Sequence, residues 1–387
     1  MKPSDAWAAL RPALDPARMP GLLSDLPGSG GRSGKARTAL RPAALPAAAL
    51  ALVLTVTACG GGADEGAAGP EAADETITNC DVEVPADDPP ERVFAAYQPA
   101  IEMAHALGIS DRLVGTAFLD ARVPEEYADV QAEQEYYENL PSREELLSHD
   151  PDFVLSGFNG AFTDESFGTR ASLSELGIES WMPSPLCPSE DGQSDETIDP
   201  STVTMEHIYD DLRDLGMLFE AGDRAEEVVA DMETTVEGVT DTLEDEFGAL
   251  DEMDEDDRPT VMVASPDDEG FGVAGGPDFA TEIIDLAGGG NAFEDLDDGR
   301  NHPVSTEDVI ERDPDFILVE VCCDAEMTAA DASPQVEEIL DDPVLANVTA
   351  VEEDQVAEFT FADRSAGPRS ASAVETVAET IHPDLFA

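Results

Sequence analysis

The sequence predicts an α/β fold of two related lobes joined by one long helix, and three observations predict it. The stretch Ser142–Leu155, SREELLSHDPDFVL, returns as Ser305–Leu318, STEDVIERDPDFIL, with seven of fourteen positions identical at an offset of 163. An internal repeat of this kind marks two similar substructures. Around both copies, apolar runs bounded by Gly and Pro alternate with segments of helical spacing, the pattern of an α/β chain. Between the copies, Ala225, Val228, Val229, Met232, Val236, Val239, Leu243 and Phe247 keep 3–4 spacing. Asp223–Phe247 therefore reads as one amphipathic helix of roughly 37 Å.

Each copy of the repeat reads as a short helix, an Asp-Pro break and a buried strand. Ser142 and Ser305 are the caps, and the acids behind them favour a helix N-terminus. In the first lobe, a strand ending at Ala96 precedes a helix over Ala100–Leu107 that stops at Gly108. A second strand follows Ile109–Gly115, the third is Phe153–Gly157, and Leu173–Met182 supplies a further helix and strand. In the second lobe, Pro259–Ala264 is a strand, Ser265–Gly270 its loop, and Phe279–Leu286 a helix stopped by Gly288-Gly289-Gly290. Helical stretches at Val336–Leu340 and Val344–Asn347, a strand at Gln355–Phe361 and a closing helix at Ser370–Ile381 complete the chain. The architecture expected is two pseudo-repeated Rossmann-like lobes, with a ligand cleft between them at the loops that follow the strands.

The 387 residues carry 19 basic and 87 acidic side chains, a net charge of −68. Beyond residue 58 the balance is −72, with twelve Arg, no Lys and 84 acids. Such a charge repels itself in dilute buffer and is screened in molar salt, where the Debye length is about 3 Å. It marks a halophilic protein and argues against nucleic acid as a partner, since phosphate contacts need clustered Lys and Arg. A disordered acidic chain is the competing reading, and the persistent strand and helix patterns weigh against it.

The first 58 residues differ. A basic run, Arg32–Arg41, precedes an Ala/Leu/Val stretch that ends in Leu54-Thr-Val-Thr-Ala before Cys59-Gly60. This is the order of an export signal, and translation starting at Met19 would give it the usual length. The small residues before Cys59 resemble a bacterial lipobox. That resemblance implies cleavage before Cys59, a diacylglycerol thioether with palmitate-type acylation there, and a lipid anchor on the outer face of the cell membrane. The expected organisation is a signal peptide over 1–58, a lipidated flexible tether over 59–75, an N-terminal lobe over 76–222, the linking helix over 223–250 and a C-terminal lobe over 258–387.

Taken in order, PPERVFAAYQPAIEMAHALGISDRLVGTA, SREELLSHDPDFVL, LSELGIESW, TEIIDLAGGGNAF, VSTEDVIERDPDFILV and Gly367-Pro368-Arg369 resemble the class III solute-binding lipoproteins of ABC importers. The resemblance spans about residues 76–385. It implies a receptor for a ferric siderophore, cobalamin or haem that delivers its ligand to a dimeric ABC permease with its ATPase, and a rigid linking helix that permits only a small closure. It also implies that Glu144 and Glu307, at matching places in the repeat, face arginines on the two permease subunits. Helix-dipole acids are the structural alternative for both, and Glu145 and Asp308 are the adjacent candidates.

Ligand-binding candidates from the first lobe are Tyr97, Gln98, Phe118, Arg122, Phe158, Asn159 and Trp181. From the second they are Asp267, Phe271, His302, Phe361 and Arg364. With so few Arg, an anionic catecholate or citrate complex fits less well than a neutral or cationic hydroxamate siderophore, or cobalamin. The ferric chelate is ligand, not cofactor, and the receptor is expected to be a monomer. His105, His149, His207, His302 and His382 form no metal-ligand spacing. No HExxH, GxSxG or phosphate loop indicates an enzyme. Cys80 and Cys187 fall in one lobe and could pair, whereas the adjacent Cys322 and Cys323 could be bridged, intermolecular or free. An anchored structural or adhesion lipoprotein without a transport role is the remaining alternative.

Overall fold

A computed structural model describes residues 76–188, 198, 200–250, 258–267 and 270–386. The export signal, Cys59 and the tether lie outside the described residues. The described chain begins with a hairpin, β1 (Thr76–Asn79) and β2 (Val82–Pro85), turning on Cys80 and Asp81 at φ 48° and 60°. The N-terminal sheet follows: β3 (Val93–Ala96), β4 (Leu113–Ala117), β5 (Tyr136–Tyr137), β6 (Phe153–Ser156) and β7 (Glu179–Trp181). All five are parallel, in the order β5-β4-β3-β6-β7. Parallel strands are covered on both faces, which is why β3 and β6 are buried throughout and read as unbroken apolar runs. Helices α1 (Gln98–Ala106), α2 (Glu125–Ala132), α3 (Arg143–Ser148) and α4 (Arg170–Ser174) lie between these strands in sequence.

Two helices then lead to the second lobe: α5 (Met205–Leu218) and the linker α6 (Gly222–Phe247). Gly248, at φ 90°, ends α6 in a conformation that side chains avoid. Seven apolar positions of α6, from Ala225 to Leu243, are buried; Phe247 stays half-exposed. They belong to one apolar core that runs from Phe153 in the N-terminal sheet to Val261 and Phe279 in the C-terminal lobe. The linker is therefore packed along its length and cannot bend without opening that core.

The C-terminal sheet contains β8 (Thr260–Pro266), β9 (Phe271–Ala274), β10 (Gly290–Asn291), β11 (Asn301–Val304), β12 (Phe316–Val321) and β13 (Val356–Thr360). Its order is β11-β9-β8-β12-β13, with β10 also on β8 and with β9 antiparallel to both β8 and β11. Helices α7 (Phe279–Leu286), α8 (Thr306–Arg312), α9 (Ser333–Asp341), α10 (Thr349–Glu352) and α11 (Ser370–Ile381) complete it. The segment Val344–Asn347, read above as helical, is turn. Asp342 ends α9 with an extended backbone, and its carboxylate accepts the Val344 N–H.

The repeated DPDF motif has a physical role in each lobe. Asp150 and Asp313 take φ 52° and 48° just beyond α3 and α8, the left-handed turn that Asp tolerates. Two residues on, the Asp152 carboxylate accepts the N–H groups of Glu91 and Arg92 at 3.0 and 2.9 Å. Asp315 accepts the N–H and hydroxyl of Thr260, both at 2.8 Å. Each aspartate thus clamps the start of its strand to the first strand of the sheet, β6 to β3 and β12 to β8.

Cys80 and Cys187 are joined by a disulfide that ties the hairpin to the segment after β7. Nearby, the buried Asp211 accepts the N–H and hydroxyl of Ser184 at 2.6 and 2.7 Å. Burial pushes its carboxyl up to about 8 against those two hydrogen bonds. The folded chain therefore holds a proton that the unfolded chain releases near pH 4, so this group's contribution to stability falls as pH rises from about 4 to about 8. Asp211→Asn should remove up to about 1.4 kcal/mol of that loss per pH unit. Denaturant midpoints between pH 5 and 8 check this, and parallel pH curves for the two proteins would exclude Asp211 as the source.

Candidate ligand cleft

Three loops leave the C-terminal ends of β3, β4 and β6, where the strand order reverses and α/β proteins hold ligands. Each loop carries an aromatic residue within two positions of its strand: Tyr97, Phe118 and Phe158. The Tyr97 ring lies 4.9 Å from Phe118 and 4.8 Å from Phe158, centroid to centroid. Tyr97 and Phe118 hold φ 68° and 60°, a costly conformation for aromatic residues. Backbone bonds fix both, with the Tyr97 N–H on the Ala117 carbonyl at 2.8 Å and the Phe118 N–H on the Tyr137 carbonyl at 2.9 Å. Gly160 lets the Phe158 ring fold inward, since a Cβ there would sit 2.3 Å from that ring.

Opposite stands the C-terminal end of the second sheet. Phe361 follows β13, and the Arg364 guanidinium stacks 4.4 Å above its ring. Arg364 is fully buried and pairs with Glu320 of β12 at 2.7 Å and with Asp278 at 2.8 Å. Asp278 also pairs with Arg300 at 3.0 Å and accepts the Ala280 N–H that opens α7. Burial disfavours the Asp278 charge, but the two guanidiniums prevail and hold its carboxyl below the usual range.

Side chains and backbone join the lobes across the cleft. Arg369, of the Gly-Pro-Arg motif, forks onto the buried Glu102 of α1, with Nε 3.0 Å from Oε2, and onto Asp363 at 3.1 Å. Its Nη2 also donates to the Arg122 carbonyl at 2.9 Å. Glu102 accepts from Gln98, whose own oxygen accepts the N–H groups of Asp120 and Ala121 at 2.9 and 3.2 Å. Asp120 is buried beside this network. Burial, reinforced by the Glu320 charge, pushes its carboxyl up to about 7, with Arg369 and Arg364 opposing.

The sequence-derived candidates divide accordingly. Tyr97, Phe118 and Phe158 come together, and Phe361 stands half-buried on the facing lobe. Gln98 is wholly buried and spent on the inter-lobe network. Trp181 belongs to the core at 0% exposure, because its strand β7 is covered on that face, and does not line the cleft. Arg122 is half-exposed and bonded to Glu326 at 3.3 Å. Asn159 is buried, with no partner for its Nδ2 among the described residues. Asp267 is exposed in the turn before β9, while Phe271 is buried in the second-lobe core. His302 is half-buried against the Gly299 carbonyl at 2.9 Å. Glu144 and Glu307 are both exposed in the first turns of α3 and α8. Sequence reading missed Glu102, Asp120, Glu320 and Arg369. Glu102 and Arg369 each lay in a quoted motif, to which no role was attached.

Residues 93–362 match the profile of a family described as periplasmic binding protein. The chain belongs to that family. Among its members it is of the class III solute-binding kind that serves ABC importers. No curated protein matches the sequence. The solved structure of an ABC-type Fe3+-hydroxamate transport system from Saccharomonospora viridis DSM 43017 is 26% identical, with a TM-score of 0.60, covering 80% of this chain and 99% of that one. A periplasmic binding protein from Veillonella parvula DSM 2008 is 23% identical, with a TM-score of 0.64, covering 80% and 97%. A periplasmic heme-binding protein from Roseiflexus sp. RS-1, in apo form, is 20% identical, with a TM-score of 0.54, covering 77% and 99%. The last two share the fold. In this binding protein the loops that follow the strands of the two lobes meet, through Arg369 on Glu102 and the Cys323 N–H on the Asp120 carbonyl.

Proposed function

We propose that this protein is the lipid-anchored, extracytoplasmic receptor of an ABC importer, and that it captures a neutral or cationic ferric siderophore and delivers it to the permease without catalysis. The cluster of Tyr97, Phe118 and Phe158 at the reversal of strand order carries the reading: strained, apolar and placed where such sheets bind ligands. The likeness to the Saccharomonospora structure supports a hydroxamate in particular. Charge supports it too. The arginines nearest the cleft, Arg122, Arg364 and Arg369, are all engaged by carboxylates. An anionic chelate would have to displace one of those partners. A flat macrocycle, haem or a corrinoid, is the second reading, favoured by the same three rings.

Glu144 and Glu307 are the docking residues of this reading, one per lobe, setting orientation on a dimeric permease. Cys59 anchors the receptor, which works as a monomer, and the acidic surface suits it to high salt.

The test is calorimetric titration in molar salt with a ferric hydroxamate, ferric citrate, a ferric catecholate, cobalamin and haem. One ferric hydroxamate should saturate the protein at sub-micromolar concentration while its iron-free form does not. Tyr97→Ala should weaken that binding about tenfold, the effect of removing a central aromatic anchor. Binding of citrate or catecholate alone would overturn the charge argument, and silence from all five would overturn the siderophore reading. In vesicles carrying permease and ATPase, Glu144→Arg with Glu307→Arg should keep ligand affinity and abolish uptake. Unimpaired uptake would remove the docking role.

A further inference from the structure

We propose that the disulfide between the adjacent Cys322 and Cys323 is a redox-sensitive latch that holds the two lobes closed. The bond is present, and it sits just beyond the end of the interior strand β12, where the chain runs against the other lobe. From there the strap Cys322–Met327 touches the first lobe repeatedly. The Cys323 N–H donates to the Asp120 carbonyl at 2.8 Å, and the Asp324 N–H reaches the same oxygen at 3.4 Å. Ala325 packs against the small apolar cluster of Leu119 and Val123. The Met327 carbonyl accepts the Arg122 N–H at 2.8 Å, and Glu326 pairs with the Arg122 side chain.

Two successive N–H groups converge on one carbonyl only because Cys323 lies at φ 78°. A side chain at that angle is strained and stays there only when its surroundings fix it. Here the fixing element is the small ring that the disulfide closes through the Cys322–Cys323 peptide. The Asp120 carboxylate lies within 4.8 Å of both sulfurs, so the ring is seated directly on the opposing lobe.

Reduction releases the latch. A dithiol gives two electrons and two protons to the S–S bond, leaves one thiol on each cysteine and is itself oxidised to a disulfide. Cys323 then relaxes toward negative φ, its N–H turns away from Asp120, and the strap loses its root. The cleft would thus close fully on its ligand only in an oxidising compartment. The latch stands on the strap's geometry and not on the identity of the ligand, so its test needs none.

The experiment is hydrogen exchange by mass spectrometry on the protein in molar salt, comparing wild type with Cys322→Ser/Cys323→Ser, in which Cys80–Cys187 remains. Peptides holding the amides of Arg122 and Cys323 should exchange about tenfold faster in the variant, the loss of roughly one good hydrogen bond's protection. Peptides over β3 and β12 should keep their wild-type rates. Unchanged exchange at Arg122 and Cys323 would overturn the latch. So would equal acceleration in β3 and β12, which would make the ring a support of the fold and not of closure. If the double variant does not fold, wild type is treated with dithiothreitol, with alkylation to show which cysteines are reduced. Exchange at the strap must then rise as Cys322 and Cys323 become alkylated and fall again on reoxidation. A rise that tracks only Cys80 and Cys187 overturns the proposal.

Discussion

Arg364→Met should cost about 3–5 kcal/mol of stability, because it leaves the buried Glu320 carboxylate without its cation. Arg364 is 2% exposed, Glu320 3% and Asp278 0%. In the native protein two guanidiniums, Arg300 and Arg364, balance these two acids. Without Arg364, Asp278 keeps Arg300, but among the described residues Glu320 keeps only the Ser265 hydroxyl at 2.8 Å. The deficit should shrink as pH falls, since the stranded Glu320 can take up a proton. For the native chain the sign is opposite. Asp278 titrates below its ordinary value when folded, so the stability it contributes is present above about pH 4 and is lost as pH falls through the folded value. Denaturant midpoints in molar salt at pH 5 and 8 measure the first effect, and midpoints carried down to pH 3 measure the second. Glu320→Gln in the Arg364→Met background should recover part of the loss, since it removes the stranded charge. A deficit under about 1 kcal/mol, flat with pH, would mean that solvent reaches this cluster and that it is not the rigid floor beneath Phe361.

That cluster also shows which features the chain disclosed in advance. The repeat was legible because the two lobes solve one problem with the same residues. Asp150 and Asp313 turn the chain, and Asp152 and Asp315 clamp neighbouring strands, so DPDF survives in both copies. The linker was legible because every third or fourth side chain from Ala225 to Leu243 faces one core. The opening hairpin was not read. Its turn puts Cys80 and Asp81 at positive φ without the Gly that ordinarily announces such a turn. Cleft aromatics were legible as residues just after strands, yet Trp181, read as one of them, is the last residue of β7 and points into the core. Position after a strand gives depth in the sheet; it does not say whether the face is covered. The inter-lobe network was illegible for a plainer reason. Glu102 lies in a helix with ordinary spacing, and its partner stands 267 residues away. No local period encodes such a pair.

The pair of Glu102 and Arg369 should therefore be the strongest coupling between the lobes. Arg369→Ala removes the cation paired with Glu102 among the described residues; that side chain is 2% exposed, and the loss should cost about 3–5 kcal/mol. Glu102→Leu should cost less, because Arg369 is 12% exposed and keeps Asp363 and the Arg122 carbonyl. The double variant should be more stable than the sum of the single losses predicts, by roughly 0.5–3 kcal/mol. Denaturant melts of the four proteins complete the cycle. Location makes this pair more than a stability device. Arg369 stands just before α11, which packs on the linker α6, whereas Glu102 sits on α1, which packs on β3, the strand that leads into Tyr97. An ion pair that spans those elements fixes how far the aromatic cluster stands from Phe361. Arg369→Ala should thus weaken ligand binding without touching a ligand-facing side chain, and Glu102→Leu in the Arg369→Ala background should restore stability more than affinity. Full recovery of affinity together with stability would show that the pair only holds the fold together and does not set the width of the cleft.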